Sequence, residues 1–101
     1  MKATKSSSNV FLDLGFSPAE SRNLRMRSQM MTALRKFIEK GNLTQAEAAL
    51  RLKVTQPRIS DLMRGKISRF SLDTLVNMLT DAGVEVDVRI KAGPRSTQRV
   101  A

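Results

Sequence analysis

Residues 44–65 read TQAEAALRLKVTQPRISDLMRG, and this stretch decides the fold of the chain. Its apolar residues recur at the spacing of two short amphipathic helices. They lie at Ala48, Leu52, Val54, Ile59 and Leu62. Ala49 is small at the point where the second helix must cross the first closely. The stretch therefore predicts two helices joined by a tight turn, with one shared buried side and with the outer side of the second helix left free.

Capping residues set the bounds of these two helices. Thr44 can cap a helix over residues 45–52, and Thr55 can cap a helix over residues 56–64 that stops at Gly65. A rigid pair of this size has the layout of a DNA-binding helix-turn-helix, whose second helix enters the major groove. An ordinary helical hairpin is the alternative that these positions leave open.

A long helix is predicted before the pair. Ser17, Pro18 and Glu20 suit the N-cap, the first position and the capping box of a helix that stops at Gly41. A break near Ser28 is left open, because the sequence around it is mostly polar. The apolar face of this helix consists of Leu24, Met30 or Met31, Leu34, Phe37 and Ile38.

A last helix is predicted after the pair. Ser71 can cap residues 72–82, and Gly83 ends them. Its inner face consists of Leu72, Leu75, Val76 and Leu79. Residues 10–16, VFLDLGF, are too apolar for a free tail, so we expect them to pack on the domain or on a partner. The prediction is a mainly α helix-turn-helix bundle of four to five helices over residues 10–83.

Residues 84–91, VEVDVRIK, predict a half-buried β-strand because apolar and charged residues alternate strictly. The apolar face consists of Val84, Val86, Val88 and Ile90. A lone strand leaves backbone groups unpaired. Residues 10–14 are only a weak candidate for its partner, so we expect the strand to pair with a second copy of the chain.

The charged residues of this segment favour one register of that pairing. Antiparallel strands centred on Val88 set Glu85 opposite Lys91 and Asp87 opposite Arg89. Centring one residue away in either direction puts like charges face to face. The sequence therefore predicts a homodimer with Val88 near its two-fold axis.

The charge of the chain favours a polyanionic partner. Among 101 residues, 18 are Lys or Arg and 9 are Asp or Glu, which gives a formal net charge of +9. DNA or RNA is the simplest such partner, and an anionic membrane surface is another; the helix-turn-helix favours double-stranded DNA. The ends of the chain, residues 1–9 and 92–101, are polar, and we expect a disordered arm and a disordered tail.

Composition also argues against several classes of protein. The chain has no Cys and no His, and hence no disulfide, no thiolate or imidazole metal site and no His base. It has no phosphate-cradling Gly loop and no evident carboxylate pair, so we predict no catalytic residue, no metal and no cofactor. No apolar run approaches the roughly 20 residues that span a bilayer, and no secretory signal is present. A cytoplasmic location follows by default.

The second helix of the pair is the candidate recognition helix. Gln56 can make paired hydrogen bonds with adenine, and Arg58 can do the same with guanine. Asp61 can accept from cytosine, orient Arg58 or remain solvated. Arg58→Ala is accordingly predicted to relax specificity, whereas Lys66→Ala should weaken binding to all sequences alike.

A second set of residues is expected to contact phosphate. Thr44 and Gln45 begin a helix, where free N–H groups and the helix dipole favour an anion. Further hydroxyl and cationic side chains begin or follow the recognition helix. They are Thr55, Ser60, Arg64, Lys66 and Arg69. Such contacts position a protein on DNA without selecting sequence.

These residues resemble a known family. The stretch LTQAEAALRLKVTQPRISDLMRGK resembles the Xre, or λ-repressor-like, DNA-binding domains. The wider pattern, NVFLDLGF before the first helix and GKISRFSLDTLVNMLTDAGVEVDV after the pair, is similar to compact Xre-type antitoxins of the HigA kind. The resemblance covers residues 9–90 and implies two tasks. A dimer would repress its own promoter at an inverted repeat, and it would neutralise a RelE/HigB-like toxin that degrades messenger RNA.

Two features depart from that family. Lys53 stands at the turn where such domains usually have Gly, and a non-Gly residue costs roughly 1 kcal/mol if the position is left-handed. The region before the pair is also basic instead of acidic. Its cations are Arg22, Arg25, Arg27, Arg35, Lys36 and Lys40. Because the toxins are basic too, a toxin contact would depend on Val10 to Phe16 and the first helix.

Other functions remain as alternatives. A stand-alone, phage-type regulator would share the domain but have no toxin gene beside it. A nonspecific nucleic-acid packaging protein would explain the charge and not the helix-turn-helix spacing. A membrane-surface role for the basic first helix is weaker still, since that helix has no Trp and also carries acids.

Overall fold

A computed structural model of the chain describes residues 10–92, and within them the fold is helical. Four α-helices and one short 3₁₀ turn follow in order. They are α1 (Pro18–Lys40), α2 (Gln45–Leu52), α3 (Gln56–Met63), the 3₁₀ turn (Ile67–Arg69) and α4 (Leu72–Asp81). One more helical turn spans residues 10–13. The disordered arm predicted for residues 1–9 and the disordered tail predicted for residues 92–101 fall outside the described residues, apart from Ala92.

The beginning of α1 confirms the sequence prediction. The Ser17 hydroxyl accepts from the Glu20 backbone N–H at 3.1 Å, and a Glu20 carboxylate oxygen accepts from the Ser17 N–H at 3.0 Å. This is the capping box. The helix is continuous through Ser28, whose carbonyl accepts from the Thr32 hydroxyl at 2.9 Å. The break that the polar composition left open does not occur.

One apolar core joins the helices. α1 packs most extensively on α4, and α2 packs on α3. The buried side chains include Leu24, Met31, Leu34, Ile38, Ala48, Ala49, Leu52, Ile59, Leu62, Phe70, Leu75, Met78 and Leu79. Since α2 and α3 have only two turns each, neither would be stable in isolation, and the shared core holds them.

Each of the four α-helices ends in the same arrangement of hydrogen bonds. After α2, the Val54 N–H donates to the Ala49 carbonyl at 3.0 Å, and Lys53, the residue before Val54, is left-handed with φ 57°. The left-handed position after α1 is Asn42 and not Gly41. These are Schellman ends. The condition left open for Lys53 is therefore met: the position is left-handed and carries a side chain where Gly would carry no strain.

The C-terminal segment differs from the strand prediction. No strand is assigned anywhere in residues 10–92, and residues 84–92 have no regular secondary structure. Val86 packs partly against the core, whereas Val88 and Ile90 are 78% and 90% exposed. A single chain offers this segment no neighbouring edge, so pairing across a dimer stays a prediction.

The N-terminal segment is helical, although the sequence makes it a weak strand candidate. Residues 10–13 form the helical turn, so the strand alternative for residues 10–14 is wrong. Phe11 and Phe16 meet edge to face, with ring centroids 6.2 Å apart. Leu14 nevertheless remains 68% exposed, and Val10, Leu12 and Phe16 are exposed as well. The segment thus presents apolar surface instead of entering the core.

Candidate nucleic-acid interface

α2 and α3 form the two-helix unit that the sequence predicts. Ile59 and Leu62 of α3 are fully buried, and Ala48 and Ala49 of α2 let the helices approach closely. Thr55 caps α3 by accepting from the Arg58 N–H at 3.4 Å. Gln56, the first residue of α3, is exposed. The N-terminal end of α3 is therefore accessible to a large partner, while the buried face of the same helix packs in the core.

The three candidate base-contacting residues have different surroundings. Gln56 faces solvent, as a base-reading side chain must in the free protein. Arg58 is half-buried: its Nη1 donates to the Arg69 carbonyl oxygen at 2.7 Å, and its guanidinium lies 5.4 Å from the centroid of the Phe70 ring. Asp61 lies 3.4 Å from Arg69 Nη1 and 3.9 Å from Lys66 Nζ, so its ionic partners are these two cations and not Arg58.

The candidate phosphate-contacting residues lie at two places. Thr44 and Gln45 are exposed at the start of α2, and the others begin or follow α3. Among the latter, Thr55, Arg64 and Arg69 are exposed, while Ser60 and Lys66 are half-buried. Asp61 brings Lys66 and Arg69 together in one loop. The cap hydroxyls accept backbone N–H groups and keep their own protons to donate to phosphate oxygens.

The N-terminus of α2 holds an acid that the sequence argument overlooked. Glu47 accepts from the Thr44 backbone N–H at 2.8 Å, and the Thr44 hydroxyl accepts from the Glu47 N–H at 3.1 Å. This second capping box satisfies one donor that a phosphate would use, and its carboxylate opposes an anion there. Its signal, Thr followed three residues later by Glu, was present in the sequence.

The loop that follows α3 is held from two helices. We call residues 66–70 the clasp loop. Arg27 of α1 donates through Nη1 to the carbonyl oxygens of Ile67 and Phe70, both at 3.1 Å, and Arg58 of α3 donates to Arg69. The Phe70 side chain is itself buried. No local sequence pattern indicates these contacts, because 40 and 43 residues separate Arg27 from the groups that it contacts.

Two further cations near the unit serve the protein itself. Arg51 lies over the Phe37 ring at 5.4 Å from its centroid, and Lys53 is 3.8 Å from Asp81. Lys53 remains 77% exposed in its ion pair, Arg69 is 57% exposed in its own, and Arg64 is exposed as well. Within residues 10–92, no helix is long and apolar enough to cross a bilayer, and no group of acidic side chains is arranged to hold a metal ion.

Two short crossed helices, the second with an open N-terminal end beside a basic loop, define a helix-turn-helix protein. A family model described as a helix-turn-helix domain matches residues 10–91. A solved structure assigned to the XRE family of transcriptional regulators is 31% identical, and the match covers 76% of this chain and 86% of that chain with a TM-score of 0.69. No curated protein matches. The chain therefore belongs to the helix-turn-helix domain family, in its XRE-type form, and is a DNA-binding protein of the transcription-regulator class.

Proposed function

We propose that the protein is a sequence-specific transcriptional repressor that binds an inverted-repeat operator as a homodimer. The observation that carries this proposal is the exposed Gln56 at the open N-terminal end of α3, a helix that Arg58 ties to the cationic clasp loop. A helix end of this kind enters the major groove, while cations beside it contact the phosphates along the groove edge.

Gln56 is the leading candidate for reading a base, because its amide can pair with the N6 and N7 positions of adenine. Lys66 and Arg69, with Arg64 and the cap hydroxyl of Thr55, are proposed to contact phosphate. Base contacts by Arg58 and Asp61 stay predictions, and each would compete with the partners that the residue has in the fold.

Binding selection can identify the operator directly. Selection from a random duplex library, followed by footprinting, should return two inverted half-sites about one helical turn apart. Protection of every duplex alike would support the packaging-protein alternative instead. No binding at low ionic strength would contradict any nucleic-acid function, because a net charge of +9 should at least bind DNA nonspecifically there.

The dimer is proposed to form through residues 84–91. The exposed apolar side chains of Val88 and Ile90 support this, because their exposure to water does not stabilise the monomer. In the register centred on Val88, Val88→Cys should crosslink across the axis. Val84→Cys is the matched control, because its two copies would lie about 27 Å apart along the paired strands. Crosslinking that is efficient at 84 and weak at 88 would reject this register.

We further propose that the protein is the antitoxin of a type II pair and neutralises a RelE/HigB-like toxin. The resemblance to HigA-like proteins and the exposed apolar turn before α1 support this. Phe16 and Leu24 line a groove of about 550 Å³ beside α1, where an apolar partner segment could bind. Co-expression with the neighbouring reading frames and pull-down should recover a small basic protein. If no neighbour binds, the stand-alone regulator, also cytoplasmic, is the better description.

A further inference from the structure

We propose that Arg58 is a positioning residue, which serves DNA binding by holding the clasp loop in place instead of by reading a base. This rests on the proposed DNA-binding function and assigns Arg58 a role different from the one that its place in the recognition helix indicates. The consequence is that sequence selection falls mainly to Gln56, while Arg58 sets the strength of phosphate contact through Lys66 and Arg69.

Two contacts tie Arg58 to the loop. The 2.7 Å hydrogen bond to the Arg69 carbonyl is short and charge-assisted, which makes it one of the stronger kinds of hydrogen bond in a protein. The guanidinium also stacks over the ring of Phe70, a residue that is only 1% exposed and belongs to the core. Arg58 therefore links the recognition helix to the backbone of the loop on one side and to the core on the other.

Reading guanine would compete with the contact to the loop. Nη1, one of the guanidinium nitrogens that a bidentate contact can use, already donates to the Arg69 carbonyl, and stacking on Phe70 fixes the plane of the group. Its release would exchange this short bond for one to water and would free the exposed backbone of the loop at Arg69 from α3. For Gln56 there is no such competition, because its exposed side chain can turn to a base without breaking a contact of the fold.

The contacts around Arg58 complete the positioning. Asp61, one turn further along α3, faces the side chains of Lys66 and Arg69, and its side chain is only 17% exposed. Arg27 holds the Ile67 and Phe70 carbonyls from α1. Backbone and cationic side chains of the loop are thus both set before DNA arrives, which lowers the ordering cost of phosphate binding.

The test measures binding of four proteins to the selected operator and to a random duplex over a range of salt concentrations. They are the wild type, Arg58→Ala, the Lys66→Ala/Arg69→Ala variant and the combined triple variant. Arg58→Ala should weaken binding to both duplexes by the same factor, about tenfold, and should reduce the salt slope by up to about 2, as expected when two phosphate contacts are lost. In the variant without the two loop cations, Arg58→Ala should add less than about twofold, since the energies are coupled.

Two controls separate positioning from other roles. Gln56→Ala should affect the operator and leave the random duplex unchanged. Arg58→Lys keeps a donor for the Arg69 carbonyl and a cation for the Phe70 ring, so it should recover most of the affinity with the operator preference intact. If circular dichroism at the assay temperature shows that Arg58→Ala does not fold, Arg58→Lys takes its place as the test variant.

Three outcomes would overturn the assignment. A loss with Arg58→Ala that is confined to the operator and fully additive with the loop variant would make Arg58 a base reader. Unchanged binding to both duplexes would make it part of the fold only, and failure of Arg58→Lys to recover affinity would contradict the proposed contacts. If the wild type itself prefers no sequence, the proposed function fails, and the comparison of variants on random DNA still decides the role of Arg58.

Discussion

The helix-turn-helix unit, residues 44–65, and the C-terminal segment, residues 84–92, differ in whether the chain itself buries their apolar side chains and pairs their backbone groups. In the unit, the apolar side chains of the shared face are buried within the same chain, with only Leu50 strongly exposed among the large ones, and capping groups satisfy the helix ends. The C-terminal segment has an equally regular pattern, yet Val88 and Ile90 stay exposed and its backbone has no ladder. A pattern of alternating residues specifies which side chains share an apolar face of a strand. Burying that face and pairing the strand require a partner surface, which one chain does not always contain.

The largest difference between the two regions should be in stability. Leu62→Ala removes a fully buried side chain from the unit and should lower the free energy of unfolding by about 2–5 kcal/mol. Val88→Ala removes an exposed side chain and should leave the free energy of the monomer within about 0.5 kcal/mol of the wild type. Urea unfolding at low protein concentration measures both, and equal losses would mean that residue 88 is buried in the monomer.

The next effect concerns self-association of the C-terminal segment. Val88→Asp places two like charges at the proposed axis and should weaken the dimer by about 3 kcal/mol, or roughly a hundredfold. Asn77→Asp adds the same charge on an exposed face of α4 and is the matched control. Sedimentation equilibrium gives both dissociation constants. A dimer that tolerates Val88→Asp as well as Asn77→Asp would mean that the segment does not pair through this face.

A smaller effect is expected on the outer side of the unit. Gln56→Ala should reduce operator affinity by about 1–3 kcal/mol, since one paired base contact is lost. The free energy of unfolding should hardly change, because Gln56 is exposed and contributes no buried area. Fluorescence anisotropy on duplexes with single base changes would measure this, and an unaltered preference at every position would remove Gln56 from the set of base readers.

The smallest effect is at the turn inside the unit. Lys53 is left-handed, so Lys53→Gly should relieve strain and raise the free energy of unfolding by about 1 kcal/mol at most, after the entropy of Gly in the unfolded chain is counted. Gly65, with φ 71°, ends α3 in the same conformation. Gly65→Ala should move the thermal midpoint in the opposite direction. If both substitutions lower the midpoint, the exposed ion pair of Lys53 with Asp81 outweighs the strain.

Much of the fold could be predicted because its signals are local. Caps such as Ser17 and Thr44 lie within three residues of the groups that they bond, and the apolar spacing of α1 to α4 follows from helix geometry. The contacts within the candidate site could not be predicted in this way, because they are not local. The contact of Arg58 with the Arg69 carbonyl joins residues 11 apart, and that of Arg27 with Phe70 joins residues 43 apart. No periodicity reports such contacts, so an arginine that holds a loop and one that reads a base look alike in sequence.

The central claim is that α3 and the clasp loop form the surface that meets DNA. Titration of ¹⁵N-labelled protein with the selected operator, followed by amide chemical shifts, tests it most directly. The largest changes are expected at the N-terminal end of α3 and at residues 66–70. Changes concentrated instead on residues 10–16 or 84–92, with α3 unaffected, would contradict it.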